Sequence, residues 1–360
     1  MAPMKFGPPS TTPVTPPPTC LVCEMEIPWT GKSGIAGSLE YDQSLKDQWR
    51  GYWKSSLKHV MVPSTQVEEA WFGDFPRLWS CFCRGIIKDS DTKYHLTGID
   101  LVQHHACLTG PCQLPKDPTA ARIGGRARTR NNKGIFEKFY AAKMGRQPSQ
   151  YKGKRLGFIV HAYCWVLFGR ALGVMPTEIK LSKFIRSFRN HWRREKLDSL
   201  EDGDIDSIKP NQALSSLQFS CDIYQNPLVI PALQEAIRRA TIGHSISSRF
   251  SKLPVEITIL ISELICPADY ALNDVENMRS MLVAFQWNLP DWFWQRRLRE
   301  DLFFELDVLR KSSSPVNWQM LRLDLMALVS DHTWYATSGL ANRERILRNV
   351  VAVGRDLGLS

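Results

Sequence analysis

Residues 250–270 read FSKLPVEITILISELICPADY, and the rest of the chain can be interpreted from this stretch. Ser251 is a candidate N-cap. Pro254 follows in the first turn of the predicted helix, where a backbone N–H has no partner within the helix, so the N–H that proline lacks is not needed. Pro267 ends the apolar pattern, so the stretch predicts one helix from about Pro254 to the residue before Pro267. Its apolar residues recur at the spacing of one helix face: Leu253, Ile257, Leu260 or Ile261, and Leu264.

More helices follow this stretch. A second helix can run from Asp274 to Phe285, and a Trp-rich segment, WNLPDWFW, occupies 287–294. Three amphipathic patterns predict helices at 302–309, 318–329 and 342–356. No repeat of 30–45 residues is visible, so leucine-rich or WD40 arrays are not expected.

The ordered landmarks of 253–294 resemble an F-box, of the kind found in fungal F-box domain-containing proteins. The resemblance covers about 248–298. It departs from the family pattern by about one extra helical turn between Ile265 and Val275. Residues 282–285, LVAF, also replace the usual Val-Cys-x-x-Trp. The matching landmarks are Leu253, Pro254, Glu256, Ile257, Ile261, Ile265, Asp274, Val275, Phe285, Phe293 and Trp294.

This resemblance implies a Skp1-like adaptor protein as partner. The chain would be the substrate-recognition subunit of a cullin–RING ubiquitin ligase, with an unknown protein substrate and no bond chemistry of its own. Residues 253–264 would then present an apolar helix face to the partner. The residues expected to bind it are Leu253, Pro254, Glu256, Ile257, Ile261, Leu264, Val275 and Trp294.

The expected fold is mainly α, with an F-box-type helical hairpin, flanking helices and a small mixed α/β N-terminal region. Residues 1–19 hold seven prolines and predict a disordered tail rather than a secretory signal. An N-terminal α/β domain would span 20–200, and a linker with a helix would span 201–245. The F-box-like domain would occupy 246–298, and C-terminal helices would occupy 299–360.

Cysteine usage indicates a reducing compartment. The chain has nine cysteines, no apolar run long enough to span a membrane, and no secretory signal, so we expect reduced thiols in the cytosol or nucleus. Cys20 and Cys23 form a CxxC, which is half of a zinc site. The possible second halves are Cys81, Cys83, His104, His105, Cys107 and Cys112, none at zinc-ribbon spacing.

Residues 157–173, GFIVHAYCWVLFGRALG, predict one buried helix capped by Gly173. His161 and Cys164 lie one turn apart and could ligate a metal, but an almost wholly apolar helix favours core packing. Residues 177–196 predict a second helix, with aromatic residues inward and cations outward. The sequence thus predicts no metal, no cofactor and no catalytic residue, and it contains no GxSxG, HExxH, P-loop or kinase signature.

A basic segment offers a different function. The formal net charge is +10, and 122–155 holds eleven Lys or Arg against Glu137 alone. Together with a short helix carrying Phe136, Phe139 and Tyr140, it could bind an acidic protein or nucleic acid. Nothing in this segment matches a known nucleic-acid module, so nucleic acid is not expected as the main partner, and both ligands stay open for this alternative. In that alternative, or if the hairpin simply packs inward, the F-box-like segment would be only structural.

Overall fold

The computed structural model describes most of the chain outside its N-terminal sixth. The described residues are 18–27, 60–72, 76–90, 93–101, 111–123, 134–142, 152–173, 179–198, 221–242, 253–267, 270–299, 301–312 and 315–358. Several sequence predictions lie outside these ranges: most of the Pro-rich tail, the His104–Cys107 candidates, the arginine-rich part of the basic segment, and the N-cap Ser251.

The fold is a mixed α/β structure, and the prediction of a mainly α protein is wrong. Of the described residues, 54% are helical and 17% are in strands. The strands form two sheets in the middle of the described structure. They are β1 (Val60–Pro63), β2 (Phe82–Lys88), β3 (Tyr94–Leu96), β4 (Asp100–Leu101), β5 (Cys112–Pro115), β6 (Ala120–Ile123), β7 (Phe136–Ala141) and β8 (Leu156–His161).

The larger sheet has six strands. Five follow the order β3-β2-β8-β7-β5, and β4 also pairs with β2. Only β7 and β8 run parallel; the other pairs are antiparallel. The sequence predicts a short strand near 78–87 and a second at 94–99, joined as a hairpin across 88–92, and this hairpin is confirmed as β2 and β3, with Ile86 opposite Leu96. β1 and β6 form a separate antiparallel pair.

The predicted helix over 157–173 is partly wrong, because its first third is the central strand β8. A continuous apolar run fits a buried strand as well as a buried helix, so periodicity cannot separate the two. In the structure β8 pairs with both β2 and β7. Gly157 in β8 is required by packing: a Cβ there would lie 2.5 Å from the Phe139 ring. The helix begins only at Ala162, and Gly173 (φ 61°) caps its C-terminus as predicted.

Eleven α-helices and a 3₁₀ helix (Pro76–Cys81) are found in the described part of the chain. The predicted C-terminal helices are confirmed, and Asn317 caps one of them by accepting from the Met320 N–H at 3.0 Å. The α-helices are α1 (Ser64–Glu68), α2 (Ala162–Leu172), α3 (Leu181–Asp198), α4 (Pro231–Ile242), α5 (Val255–Ile265), α6 (Leu272–Phe285), α7 (Asp291–Arg296), α8 (Glu305–Lys311), α9 (Trp318–Ser330), α10 (His332–Thr337) and α11 (Leu340–Leu357).

Helices α5 and α6 correspond to the two helices predicted from the F-box-like segment, and α7 lies in its Trp-rich part. Pro254 is the N-cap of α5, where no backbone N–H is needed. Asp274 accepts from the Ala271 N–H at 2.8 Å and so caps the start of α6. Arg297, just after α7, donates to the Cys266 carbonyl at 3.3 Å and holds the end of α5. Capping interactions therefore fix both ends of α5 and the start of α6.

The C-terminal helix α11 packs against the N-terminal α/β part, although the two are far apart in sequence. A Cβ on Gly354 in α11 would lie 2.7 Å from the Leu172 side chain in α2. Lys183 in α3 donates to the carbonyl of Leu357. One continuous hydrophobic cluster contains residues from all of these elements.

The aromatic part of the basic segment is also not as predicted. Phe136, Phe139 and Tyr140 lie in strand β7 rather than in a short helix, because β7 pairs with β5 and β8. Among the helices of the described ranges, none combines the length and apolar character needed to cross a membrane.

Candidate functional site

Helix α5 turns only part of its apolar surface toward the core. Its buried positions are Thr258 and Ser262, which are 4% and 0% exposed. The large apolar Leu260 and Leu264 are 55% and 83% exposed. A surface helix normally turns its apolar stripe inward and its polar face outward. In α5, Ile259, Ile261 and Ile265 are partly buried against the core, but the leucines form an apolar stripe that faces solvent.

The inward polar residues of α5 are satisfied within the helix itself. The Thr258 hydroxyl donates to the Val255 carbonyl at 2.7 Å, and the Ser262 hydroxyl donates to the Thr258 carbonyl at 2.7 Å. Small side chains bonded in this way let α5 pack closely without burying an unpaired polar group. The inward face is therefore compatible with the core, and α5 can pack there while its leucines face outward.

We call the α5 stripe the set Leu253, Val255, Ile257, Leu260 and Leu264, all of which are exposed. Of the eight residues predicted to bind a partner, Leu253, Pro254, Glu256, Ile257 and Leu264 are exposed, and Ile261 is half-buried. Val275 and Trp294 are buried in the core, so in this structure they support the helices and cannot contact a partner.

Further exposed apolar side chains lie on the neighbouring helices α6 and α7. Val283 and Phe285 belong to the end of α6, and Trp292 belongs to α7. Phe285 stacks on Trp287 with 5.1 Å between ring centroids. Val283, Phe285 and Trp292 are not among the residues predicted to bind a partner, because apolar residues of α6 and α7 could equally belong to the core. Only the packing shows which side each residue occupies.

A second feature is a buried cluster of Cys20, Cys23, His161 and Cys164. Their ligand atoms all lie within 4.8 Å of one another, and all four residues are buried. His161 Nδ1 lies 3.3 Å from Cys23 Sγ and 3.7 Å from Cys164 Sγ. The His161 backbone N–H donates to Cys20 Sγ at 3.3 Å.

The fold explains why the two pairs meet. His161 is the last residue of β8, and Cys164 lies in the first turn of α2. Cys20 and Cys23 lie on a tight turn, in which the Glu24 N–H donates to the Cys20 carbonyl at 2.9 Å. A backbone bond from the Leu21 N–H to the Ile159 carbonyl, 2.9 Å long, places that turn beside β8.

The cluster changes the acid–base properties of its members. Burial by itself raises the pKa of the Cys23 thiol, but hydrogen bonds with Cys164 and Cys20 and the charge of His161 together lower that pKa well below its ordinary value. Burial by itself lowers the pKa of His161, but the negative charge on Cys20 and Cys23 raises it to about 10. Burial and hydrogen bonds with Cys20 and Cys23 raise the pKa of the Cys164 thiol well above its ordinary value, so Cys23 is the member that favours the thiolate, the form in which cysteine binds metals.

None of the described residues that the sequence suggested as partners of Cys20 and Cys23 joins their cluster. Cys81, Cys83 and Cys112 are buried but do not belong to the cluster found in the described residues. His104, His105 and Cys107 lie outside the described ranges. The residues that the structure brings to Cys20 and Cys23 are His161 and Cys164, whose three-residue spacing is the signal available in the sequence. The sequence predicts both in one helix, whereas His161 ends a strand and Cys164 lies in the first turn of the next helix.

A cleft of about 1090 Å³ lies between the β-sheet part and helices α2 and α3. Its lining includes one acidic residue, Glu68, against five cations: Arg84, Lys93, Lys116, Arg170 and Lys180. Arg84 is already paired with Glu68 at 2.6 Å. Lys93, Lys116 and Lys180 still give the walls a net positive charge, which suits an acidic ligand.

The described part of the basic segment is tied into the fold. Arg122 forms an ion pair with Asp100, and Arg155 forms ion pairs with Asp89 (2.7 Å) and Glu137. Lys154 lies over the Tyr140 ring, 4.5 Å from its centroid. Arg126, Arg128 and Arg130 lie outside the described ranges. The paired cations therefore provide no support for a separate binding module.

Comparisons with known proteins return no relative. No protein-family model, no curated protein and no solved structure matches this chain.

Proposed function

We propose that the chain is an F-box-type adaptor that binds a Skp1-like protein through helices α5–α7 and presents a protein substrate to a cullin–RING ubiquitin ligase. The observation that carries the proposal is that α5 keeps Leu260 and Leu264 exposed to solvent while its fully buried positions are Thr258 and Ser262. The order of the landmarks in 253–294 supports the choice of partner.

The energetic argument concerns the leucines of the α5 stripe. Moving one leucine side chain from water into an apolar contact is worth about 1.5–3 kcal/mol. In the chain alone, Leu260 and Leu264 gain little of this energy, because they remain more than half exposed. A partner with an apolar groove would recover it, and a few such residues usually dominate the affinity of an interface.

Such an adaptor needs no catalytic group of its own. Its effect would be to hold a substrate at high local concentration beside the ubiquitin-conjugating enzyme. The substrate would bind outside α5–α7, and the positively charged cleft beside α2 and α3 is a suitable concave surface. An acidic segment is the kind of ligand that its lysines favour.

The test is a titration of the full chain with a purified fungal Skp1 protein. Wild type should form a 1:1 complex, and a Leu260→Glu/Leu264→Glu variant should bind at least about 100-fold more weakly, because interface hot spots carry about 2 kcal/mol or more each. Both side chains are exposed, so the variant should keep the circular dichroism spectrum and melting temperature of wild type.

The matched control is Val308→Glu, an exposed apolar residue on α8 and outside the α5 stripe. It should bind as wild type does. The proposal is wrong if the folded wild-type chain does not bind, and the α5 stripe is not the interface if both variants bind equally well.

A further inference from the structure

We propose that Cys20, Cys23, His161 and Cys164 form a structural zinc site. This inference is independent of the adaptor function, since it concerns how the N-terminal segment is held to the fold. It rests on the placement of the four side chains and on their burial.

The geometry fits a tetrahedral ion. With Zn–S bonds of about 2.3 Å and Zn–N bonds of about 2.0 Å, the ligand atoms of a tetrahedral site lie about 3.5–3.8 Å apart. The Nδ1 atom of His161 lies 3.3 Å from one sulfur and 3.7 Å from another, and all four ligand atoms fall within 4.8 Å. Small side-chain adjustments would close the set around one ion.

The donor set selects the metal and its role. Three thiols and one imidazole are a ligand set that zinc prefers in four-coordinate sites. All four residues are fully buried, so no coordination position is open to water or substrate. A closed site of this kind is structural, because catalytic zinc needs an open position.

The histidine is oriented for this role. Its Nδ1 points at the sulfurs, whereas its Nε2 is buried and has no hydrogen-bond partner among the described residues. The ring is held in place by Trp79, whose centroid lies 5.0 Å away with the rings edge to face.

The site would add a metal cross-link to a segment that is otherwise held by hydrogen bonds and packing. Residues 18–27 contribute no helix or extended strand, only bridges such as Cys20 to Ile159. A metal ion would join this short segment to the β8–α2 junction, 138 positions further along the chain at Cys23 and His161. Closing so long a loop removes many conformations from the unfolded chain.

The experiment measures metal in the full-length chain purified under reducing conditions and passed over a chelating resin. We expect about one zinc per chain by elemental analysis. Replacement with cobalt should give the intense visible bands and the thiolate charge-transfer absorption of a tetrahedral site with sulfur ligands. Neither measurement depends on a variant that folds.

Variants then assign the ligands. Cys164→Ser should lose at least about 90% of the zinc, because thiolate is the preferred donor, while the donor-preserving His161→Cys should retain it. The matched control is Cys83→Ser, a buried thiol on β2 paired in register with His161 but outside the cluster. It should retain about one zinc per chain.

Two results would overturn the proposal. One is a folded wild-type chain that contains no stoichiometric zinc and gives no tetrahedral cobalt spectrum. The other is a Cys20–Cys23 disulfide in the reduced-purified protein, detected by mass spectrometry after alkylation. Equal loss of zinc from Cys83→Ser and Cys164→Ser would count against these four ligands.

Discussion

The guanidinium of Arg345 in the C-terminal helix donates a hydrogen bond to the backbone carbonyl of Cys23, 3.1 Å away and 322 positions earlier in the chain. The Arg345 side chain is held by Asn342, whose Oδ1 accepts from Nε at 3.2 Å and from Nη2 at 2.9 Å. The side-chain amide of Asn349 donates a hydrogen bond to the carbonyl of Val22, the residue before Cys23. The CxxC turn is thus fixed by α11 as well as by β8.

Arg345→Met should lower the free energy of unfolding by about 1.5–3 kcal/mol, because a buried hydrogen bond from a charged donor has roughly that value. The measurement is urea denaturation followed by fluorescence. The control is Arg348→Met on the same helix, where the side chain is half exposed and its Glu344 contact is 3.4 Å long. Exposed ion pairs contribute about 0–1 kcal/mol, so equal losses in the two variants would contradict the role given to Arg345.

Removing the proposed zinc should destabilise the chain. A high-affinity chelator should lower the melting temperature of wild type by at least about 5 °C, since each kcal/mol shifts it by about 2–4 °C in domains of 150–250 residues. The same chelator should leave the melting temperature of Cys164→Ser unchanged. Added zinc, but not magnesium, should restore wild type. A chelator effect of equal size in both proteins would show that it acts elsewhere.

Arg343 is the most completely satisfied buried charge in the described structure. It is fully buried, and its guanidinium makes five hydrogen bonds of 2.7–3.0 Å. The acceptors are the carbonyls of Pro227, Leu228 and Leu302 and both carboxylate oxygens of Glu305. This one side chain joins the segment before α4, the start of α8 and the C-terminal helix.

Arg343→Lys should cost about 3–5 kcal/mol of stability even though the charge is kept, because breaking a buried charge pair and its hydrogen bonds has a cost of that size. Chemical denaturation gives the value. The control Arg238→Lys alters an exposed arginine paired with Glu235 and should change stability by less than about 0.5 kcal/mol. A loss below 1 kcal/mol for Arg343→Lys would contradict this reading of the network.

Gly339, just before α11, should not tolerate a side chain. Its φ is 88°, and a Cβ there would lie 2.2 Å from the Asn226 carbonyl oxygen. Gly358, after α11, has φ 67° but open space around a Cβ. We expect Gly358→Ala to cost about 1–2 kcal/mol from backbone strain alone. Gly339→Ala should cost at least about 2 kcal/mol more, because the Asn226 backbone must also move. Thermal melts compare the two, and equal costs would contradict the clash.

The sequence predicted those elements whose signals are local. Helices α3, α4, α9 and α11 show apolar residues at helical spacing, and Asn317 and Gly173 are caps with their own chemistry. The β2–β3 hairpin was also readable. The start of α2 was not, because an apolar run buried on all sides has no period from which strand and helix can be distinguished.

The candidate site was predictable only in part. Leu253, Ile257 and Leu264 could be selected as an apolar helix face, but the same spacing is expected for a helix that packs inward. The structure distinguishes the two for α5, because Thr258 and Ser262 take the inward positions. Val275 and Trp294 were also predicted to bind a partner, but the structure places both side chains in the core.

The sequence by itself determined where most helices begin and end, because caps, prolines and apolar spacing act between residues a few positions apart. Only the tertiary structure decided which way α5 faces and that Cys20 and Cys23 meet His161 and Cys164. Those outcomes depend on strand pairing between distant segments, in which β8 is placed by β2 and β7 and the CxxC turn is placed by β8. Pairing between distant segments produces no pattern of residues at a fixed spacing in the sequence, so it cannot be predicted from such patterns.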